Sequence, residues 1–143
     1  MAYWLFKTEP NSWSWDEQKR RGEAGQEWDG VRNFQARNHM RSMQAGDRGF
    51  FYHSGGEKQV VGVVEVVRAA HPESKNPAWE CVDIKAVADL PQPVTLEAVK
   101  SEKALSDMVL VRNSRLSVQP VRDEEWQLVC RMGGLDPDAR GPR

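Results

Sequence analysis
Apolar positions along this chain come in short runs, and polar or glycine-containing stretches separate them. Tyr3–Lys7 is aromatic and aliphatic, the composition of a strand, and Pro10-Asn11 stops it. Ser14-Trp15-Asp16-Glu17 has the serine and glutamate of a capping box, so a short helix is expected from Trp15 to about Arg21, ended by Gly22 and Gly25. After a polar loop, Asn33 can cap a second helix running through Met43, with Ala36, Met40 and Met43 on one face. Phe50–His53 reads as a strand and Ser54-Gly55-Gly56 as a loop. Gln59–Val67 is apolar on both faces, the mark of a central strand. Ala78–Ala88 alternates, with Val82, Ile84 and Ala86 opposite Asp83 and Lys85, as a half-exposed strand does. Thr95 caps a short helix carrying Leu96 and Val99, and Leu116–Val121 is the last strand. Asp123 is expected to cap a closing helix with Trp126, Val129 and Cys130 inward, ended by Gly133-Gly134.

The resulting order is strand, two helices, three strands, helix, strand, helix. Its short strands, and long middle pair joined by a short Pro-containing connection, do not fit a doubly wound α/β sheet. An α+β design is expected, with a small curved mixed sheet or barrel of five to six strands and helices packed outside. Residues 1–135 read as one domain and 136–143 as a loose Pro-, Gly- and Arg-rich tail.

Composition narrows the function classes. The 143 residues carry 20 basic and 21 acidic side chains, a net charge of -1, which excludes a polycationic coat for nucleic acid but leaves room for a local basic groove. No run is apolar enough to cross a bilayer and the N-terminus lacks a signal-peptide pattern, so a cytoplasmic monomer without membrane contact is expected. Cys81 and Cys130 are far apart and read as reduced core thiols. There is no P-loop, G-x-G-x-x-G, G-x-S-x-G or H-E-x-x-H pattern, and His39, His53 and His71 lack metal-ligand spacing. A triad of Ser54, His53 and Asp29 fails because neighbouring strand residues point to opposite faces. No catalysis, metal or cofactor is expected.

Six tryptophans against two tyrosines and four phenylalanines are a second signal, because an indole needs both burial and a partner for its N–H. Trp4 and Trp126 fit core positions and Trp15 opens a helix, whereas Trp13 and Trp79 fit either core or surface. Trp28 sits in a Gly-containing loop, Trp28-Asp29-Gly30-Val31-Arg32-Asn33. It is either a plug for the core or a stacking platform for a flat ligand, with Asp29 and Asn33 reading a base edge.

Three other segments have similar double readings. Phe6-Lys7-Thr8-Glu9-Pro10 is a solvated strand end or the polar lip of a pocket. In Phe51-Tyr52-His53-Ser54, alternation puts Tyr52 with Ser54 and Phe51 with His53. Arg115, entering the last strand beside Ser117, is a surface ion-pair partner or a ligand contact. From Gly30 to Ser54 the arginines 32, 37, 41 and 48 face one acid, Asp47, a basic edge beside an aromatic loop.

Taken in order, these stretches resemble the EVE domain family. Tyr3–Pro10, Trp28–Asn33, Phe51–Ser54, Val61–Val66 and Arg115–Val121 all look like its characteristic motifs, and the likeness runs up to the closing helix. The resemblance implies a PUA-like fold, kinship with YTH and ASCH domains, and binding of modified nucleobases in DNA or RNA without a defined reaction. By similarity to YTH domains, its strand-end Lys-Ser corresponds to Lys7-Thr8, its first cage tryptophan to Trp28 with Asp29 beside it, and its final-strand arginine to Arg115. Trp79 is nearest by region to the second cage tryptophan.

The expected ligand set is therefore Lys7, Thr8, Trp28, Asp29, Asn33, Tyr52, His53, Ser54, Trp79, Arg115 and Ser117, with Arg32 and Arg37 on phosphates. Flipping a base costs a few kcal/mol, so single-stranded or distorted sites are favoured. Two other classes use the same residues: a sensor of free nucleosides and, resting on Asp29 and His53, a hydrolase acting on the bound base.

Overall fold
The computed structural model describes residues 1–138. The chain runs through β1 (Tyr3–Thr8), α1 (Trp15–Arg20), β2 (Gln26–Glu27), α2 (Phe34–Ser42), β3 (Arg48–His53), β4 (Gln59–Pro72), β5 (Glu80–Thr95), α3 (Leu96–Ser101), α4 (Val109–Arg112), β6 (Val118–Val121) and α5 (Asp123–Met132). The strands form one six-stranded, curved and unclosed sheet in the order β2-β5-β4-β3-β1-β6. Only β1 and β3 run parallel among these pairs, which makes the sheet mixed.

Period-two alternation divides the core in two. Leu5, Phe50 and Tyr52 face one cluster, with Val60, Leu105 and Trp126. Trp4, Phe6 and Phe51 face the other, with Trp15, Trp28 and Met40. On the first face the Trp126 ring stacks on both Tyr3 and Phe50, at centroid distances of 4.3 and 4.1 Å. The second face is covered by α2 and by the loop that follows β2.

The helix starts follow the expected chemistry with one exception. Ser14 Oγ accepts the Glu17 N–H and Glu17 returns a bond to the Ser14 N–H. Asn33 Oδ1 accepts the Ala36 N–H at 2.9 Å, and Thr95 Oγ1 accepts the Ala98 N–H at 3.0 Å. Asp123 is not the cap of α5. It is the first helical residue, and the cap is Arg122, whose N–H is taken by Glu125 Oε1 at 2.9 Å. An acidic first turn suits the positive end of the helix dipole, which explains the shift by one residue.

The middle strands are longer than their apolar runs. Residues 68–72 extend β4 by pairing with 80–83 of β5, and residues 89–95 extend β5 by pairing with 59–62 of β4, through several bulges. Two-residue β2, absent from the sequence reading, pairs Gln26 with Ile84 and Glu27 with Asp83. Among the described residues no helix is long and apolar enough to cross a membrane. Of the expected tail, residues 139–143 lie outside the described residues, while the Pro137 carbonyl accepts the Trp126 indole N–H at 3.4 Å.

Candidate nucleobase pocket
Where β1 ends, the chain crosses over the loop that leaves β2, and a cavity of about 390 Å³ opens between them. That is within the range of small-ligand pockets. Its walls come from five places. The end of β1 gives Lys7 and Thr8, the following turn gives Ser12 and Trp13, residues 26–31 form one side, and Ser117 and Lys75 close it.

Trp28 belongs to both the core and the cavity. Its residue is 7% exposed, and its ring meets Phe6 and Phe51 edge-on at 5.4 and 5.7 Å. Its backbone N–H donates to the Val82 carbonyl at 2.8 Å. The two edge contacts with Phe6 and Phe51 set the plane of the indole. The chain turns away at Gly30, whose φ of +81° is the left-handed region that glycine tolerates.

Behind the loop stands Glu73, a buried carboxylate. Its Oε2 accepts the Gly30 N–H at 2.9 Å, and Arg32 binds both of its oxygens, at 2.9 and 3.0 Å. The Arg32 guanidinium holds the Glu73 carboxyl below its ordinary 4.5, despite burial. Arg32 is thus a clamp on the loop as well as a surface cation.

The polar lining is mixed in sign. Lys7 Nζ donates to the Ser114 carbonyl at 2.7 Å and stands 5.7 Å from the centre of the Tyr52 ring. Burial pushes its pKa down. Thr8 Oγ1 donates to the Trp13 carbonyl at 3.1 Å, and the Ser117 carbonyl accepts the Lys7 N–H at 2.8 Å. Glu27 and Asp29 supply carboxylates to the same wall. Glu27 accepts from Ser74 N and Oγ, which hold its carboxyl below the usual value.

Of the residues singled out in the sequence, Lys7, Thr8, Trp28, Asp29 and Ser117 converge on this cavity. The others sit elsewhere. Asn33 caps α2 through its side chain. Tyr52 is buried on the opposite sheet face, where loss of solvent pushes its phenol up to about 12. His53 accepts the Trp15 N–H at Nε2 and lies 3.0 Å from Glu57 at Nδ1, so it links β3 to the start of α1. Ser54 lines a separate shallow depression with Glu9 and Pro10. Arg115 is exposed on the turn before β6.

Trp79 joins a surface stack instead. Its ring lies 5.4 Å from Phe34 at 24°, with the Arg32 guanidinium 5.0 Å from Trp79 and the Arg37 guanidinium 4.7 Å from Phe34. The second indole on the cavity is Trp13, whose Nε1 donates to Gln18 Oε1 at 2.9 Å. Its signal in the sequence was a tryptophan next to the capping box, too close to the strand end to pack along β1.

The basic edge is also altered by folding. Arg41 pairs with Glu80 at 2.5 Å and Arg48 approaches Glu65 at 3.8 Å, as Arg32 does Glu73. The β4–β5 arm brings its acids to these arginines.

With this geometry in hand, comparison with known proteins is direct. The EVE domain family model matches residues 2–132. The chain belongs to the EVE family. Protein Atu2648 from Agrobacterium tumefaciens is 55% identical and superimposes with a TM-score of 0.94, each chain covered completely. Human thymocyte nuclear protein 1 is 32% identical over 95% of this chain and 76% of its own length. A crystal structure of that human protein in complex with 5-methylcytosine containing DNA superimposes with a TM-score of 0.85, covering 96% of this chain and 100% of the other. The YTH domain of Zygosaccharomyces rouxii MRB1, solved with N6-methyladenosine RNA, shares 14% identity at a TM-score of 0.59, a likeness of fold alone. The EVE domain here accordingly has the PUA-like fold.

Proposed function
We propose that this EVE domain is a non-catalytic nucleic-acid-binding module that takes a modified base, flipped or single-stranded, into the cavity beside Trp28. The observation that carries this reading is an indole held rigid by Phe6 and Phe51 on the wall of a 390 Å³ cavity with donors and acceptors around it. Stacking of a base on one aromatic contributes ~1–3 kcal/mol, and a preset ring loses little entropy on binding. Lys7 and the Ser117 hydroxyl offer donors, and Thr8 Oγ1, Asp29 and Glu27 offer acceptors, for a base edge. The similarity to human thymocyte nuclear protein 1, seen with 5-methylcytosine containing DNA, supports a methylated base as ligand class. Exposed Phe34, with half-buried Trp79 and Arg37 stacked against it, suits flanking bases and phosphates.

The test is fluorescence anisotropy with labelled oligonucleotides, single-stranded and duplex, with and without 5-methylcytosine. Preferential binding of the modified strand, reduced at least ~5-fold in Trp28→Leu and Trp13→Ala, is expected. Equal, weak, purely salt-dependent binding to every strand overturns the reading.

A further inference from the structure
Next to the cavity wall, strand pairing assembles four side chains from three strands. Glu27 on β2 pairs with Asp83 on β5, and His71 on β4 pairs with Cys81 on β5. One donor atom from each of the four lies within 4.8 Å of all the others. His71 and Cys81 are buried, and Glu27 and Asp83 are partly so.

The imidazole of His71 decides what such a group can do. Its Nδ1 lies 2.9 Å from the Pro72 carbonyl, which only accepts, so Nδ1 carries a hydrogen. Nε2 lies 2.7 Å from Asp83 Oδ1 and 3.7 Å from Cys81 Sγ. Glu27, which accepts from Ser74, brings a second carboxylate to the same group of donor atoms. A single cation of borderline softness uses all four. A histidine whose other nitrogen is fixed by a backbone carbonyl is also the usual second partner of a metal ligand.

We propose that Glu27, His71, Cys81 and Asp83 form a binding site for one divalent transition-metal ion of the zinc class. Imidazole, thiolate and carboxylates are the ligand types zinc takes in four-coordinate sites. Ion entry displaces the Cys81 thiol proton into solvent. Glu27 also lines the cavity, so a bound ion neutralises part of the acidic wall next to Trp28.

The site escapes sequence reading because the spacings 27, 71, 81 and 83 match no linear motif and hold a single histidine. Its test uses the reduced, chelator-treated protein titrated with Co²⁺ and then Zn²⁺. Expected are one Co²⁺ per chain, a near-ultraviolet thiolate-to-metal band with visible bands of four-coordinate cobalt, their loss on adding Zn²⁺, and a raised Tm with Zn²⁺. Cys81→Ser should remove the thiolate band, and Cys130→Ser, in the other core cluster, should keep it. Asp83→Asn, on a partly exposed residue, serves if Cys81→Ser does not fold, and should weaken Co²⁺ binding at least ~10-fold. Absence of the thiolate band in wild type, its survival in Cys81→Ser, or unchanged affinity in Asp83→Asn overturns the proposal. None of these readouts involves an oligonucleotide, so the outcome is separate from that of the base-binding test.

Discussion
Arg32 and Glu73, 41 residues apart, bind each other through two parallel hydrogen bonds, and the Glu73 oxygen that takes Arg32 Nη1 also takes the Gly30 N–H. The side chain of Glu73 is 1% exposed, while Arg32 is 43% exposed. One carboxylate at the end of β4 thus holds the segment that presents Trp28, and the arginine keeps that carboxylate charged. A bidentate guanidinium–carboxylate pair is geometrically specific, so the loop has one favoured path.

Removing either partner should loosen the loop, and the two losses differ in kind. Arg32→Ala leaves a buried carboxylate with the Gly30 N–H as its remaining partner among those described here. The loss of stability should be smaller than for a fully buried pair, because the Arg32 guanidinium is solvent-exposed. Glu73→Gln keeps the shape and should cost about 1–2 kcal/mol. Urea denaturation with tryptophan fluorescence measures both.

Acid should act through the same group. The folded pKa of Glu73 lies below its ordinary 4.5, so its contribution to stability is fully present above 4.5 and is lost as pH falls through the folded value. Asp89, bonded by the Trp15 indole and Lys19, is shifted the same way from 3.8. Unfolding free energy should therefore decline from pH 5 toward pH 3, and Glu73→Gln should flatten that decline. An equal slope in the variant would assign the acid sensitivity elsewhere.

Gly62 should tolerate no side chain. The Trp15 indole lies against it, and a Cβ built at Gly62 falls well inside contact distance of three ring atoms. The indole cannot swing away freely, because its Nε1 donates to Asp89 Oδ1 at 2.6 Å and its ring packs on Phe51. Gly62→Ala should destabilise by roughly 1–3 kcal/mol or more, read as a lower Tm.

Lys7 should be separable from the hydrophobic wall. Lys7→Met keeps the buried stem and removes the ammonium. If the cavity receives a base next to its phosphate, oligonucleotide affinity falls and the slope of log K against log salt drops by about one. A changed affinity with an unchanged slope would place Lys7 on the base edge.

The surface stack offers a fifth check. Phe34 is 62% exposed, so Phe34→Ala should alter stability by no more than about 0.5 kcal/mol. Should flanking bases rest there, Phe34→Ala and Arg37→Gln each weaken oligonucleotide binding several-fold at constant Tm. Equal affinity in both variants removes this surface from the interface.

How much of this could be read from the sequence depended on the range of the interaction. Local signals held: the Ser14–Glu17 box, the Asn33 and Thr95 caps, and the alternation that sends Phe50 and Phe51 to opposite clusters. That alternation already separates Tyr52 from the Trp28 side, once Phe51 is known to pack on Trp28. The parts that long-range pairing decides stayed hidden. Gln26 and Glu27 look like loop until Ile84 and Asp83 hydrogen-bond to them. Lys75 reaches the cavity because β4 carries its arm past the loop, and the arginines of the expected basic edge meet acids from that arm. Trp13 rather than Trp79 lines the cavity for the same reason: chain direction after a strand end is set by packing that no short motif encodes.

The double membership of Trp28 limits how this cavity can change over evolutionary time. Replacing the indole opens the core against Phe6 and Phe51, so folding itself requires the flat wall, whatever the ligand. Ser12 and Lys75, by contrast, are exposed residues on the rim whose side chains support no core. Relatives can therefore diverge in ligand preference by drift at the rim, while inheriting one unvarying surface for a planar ring.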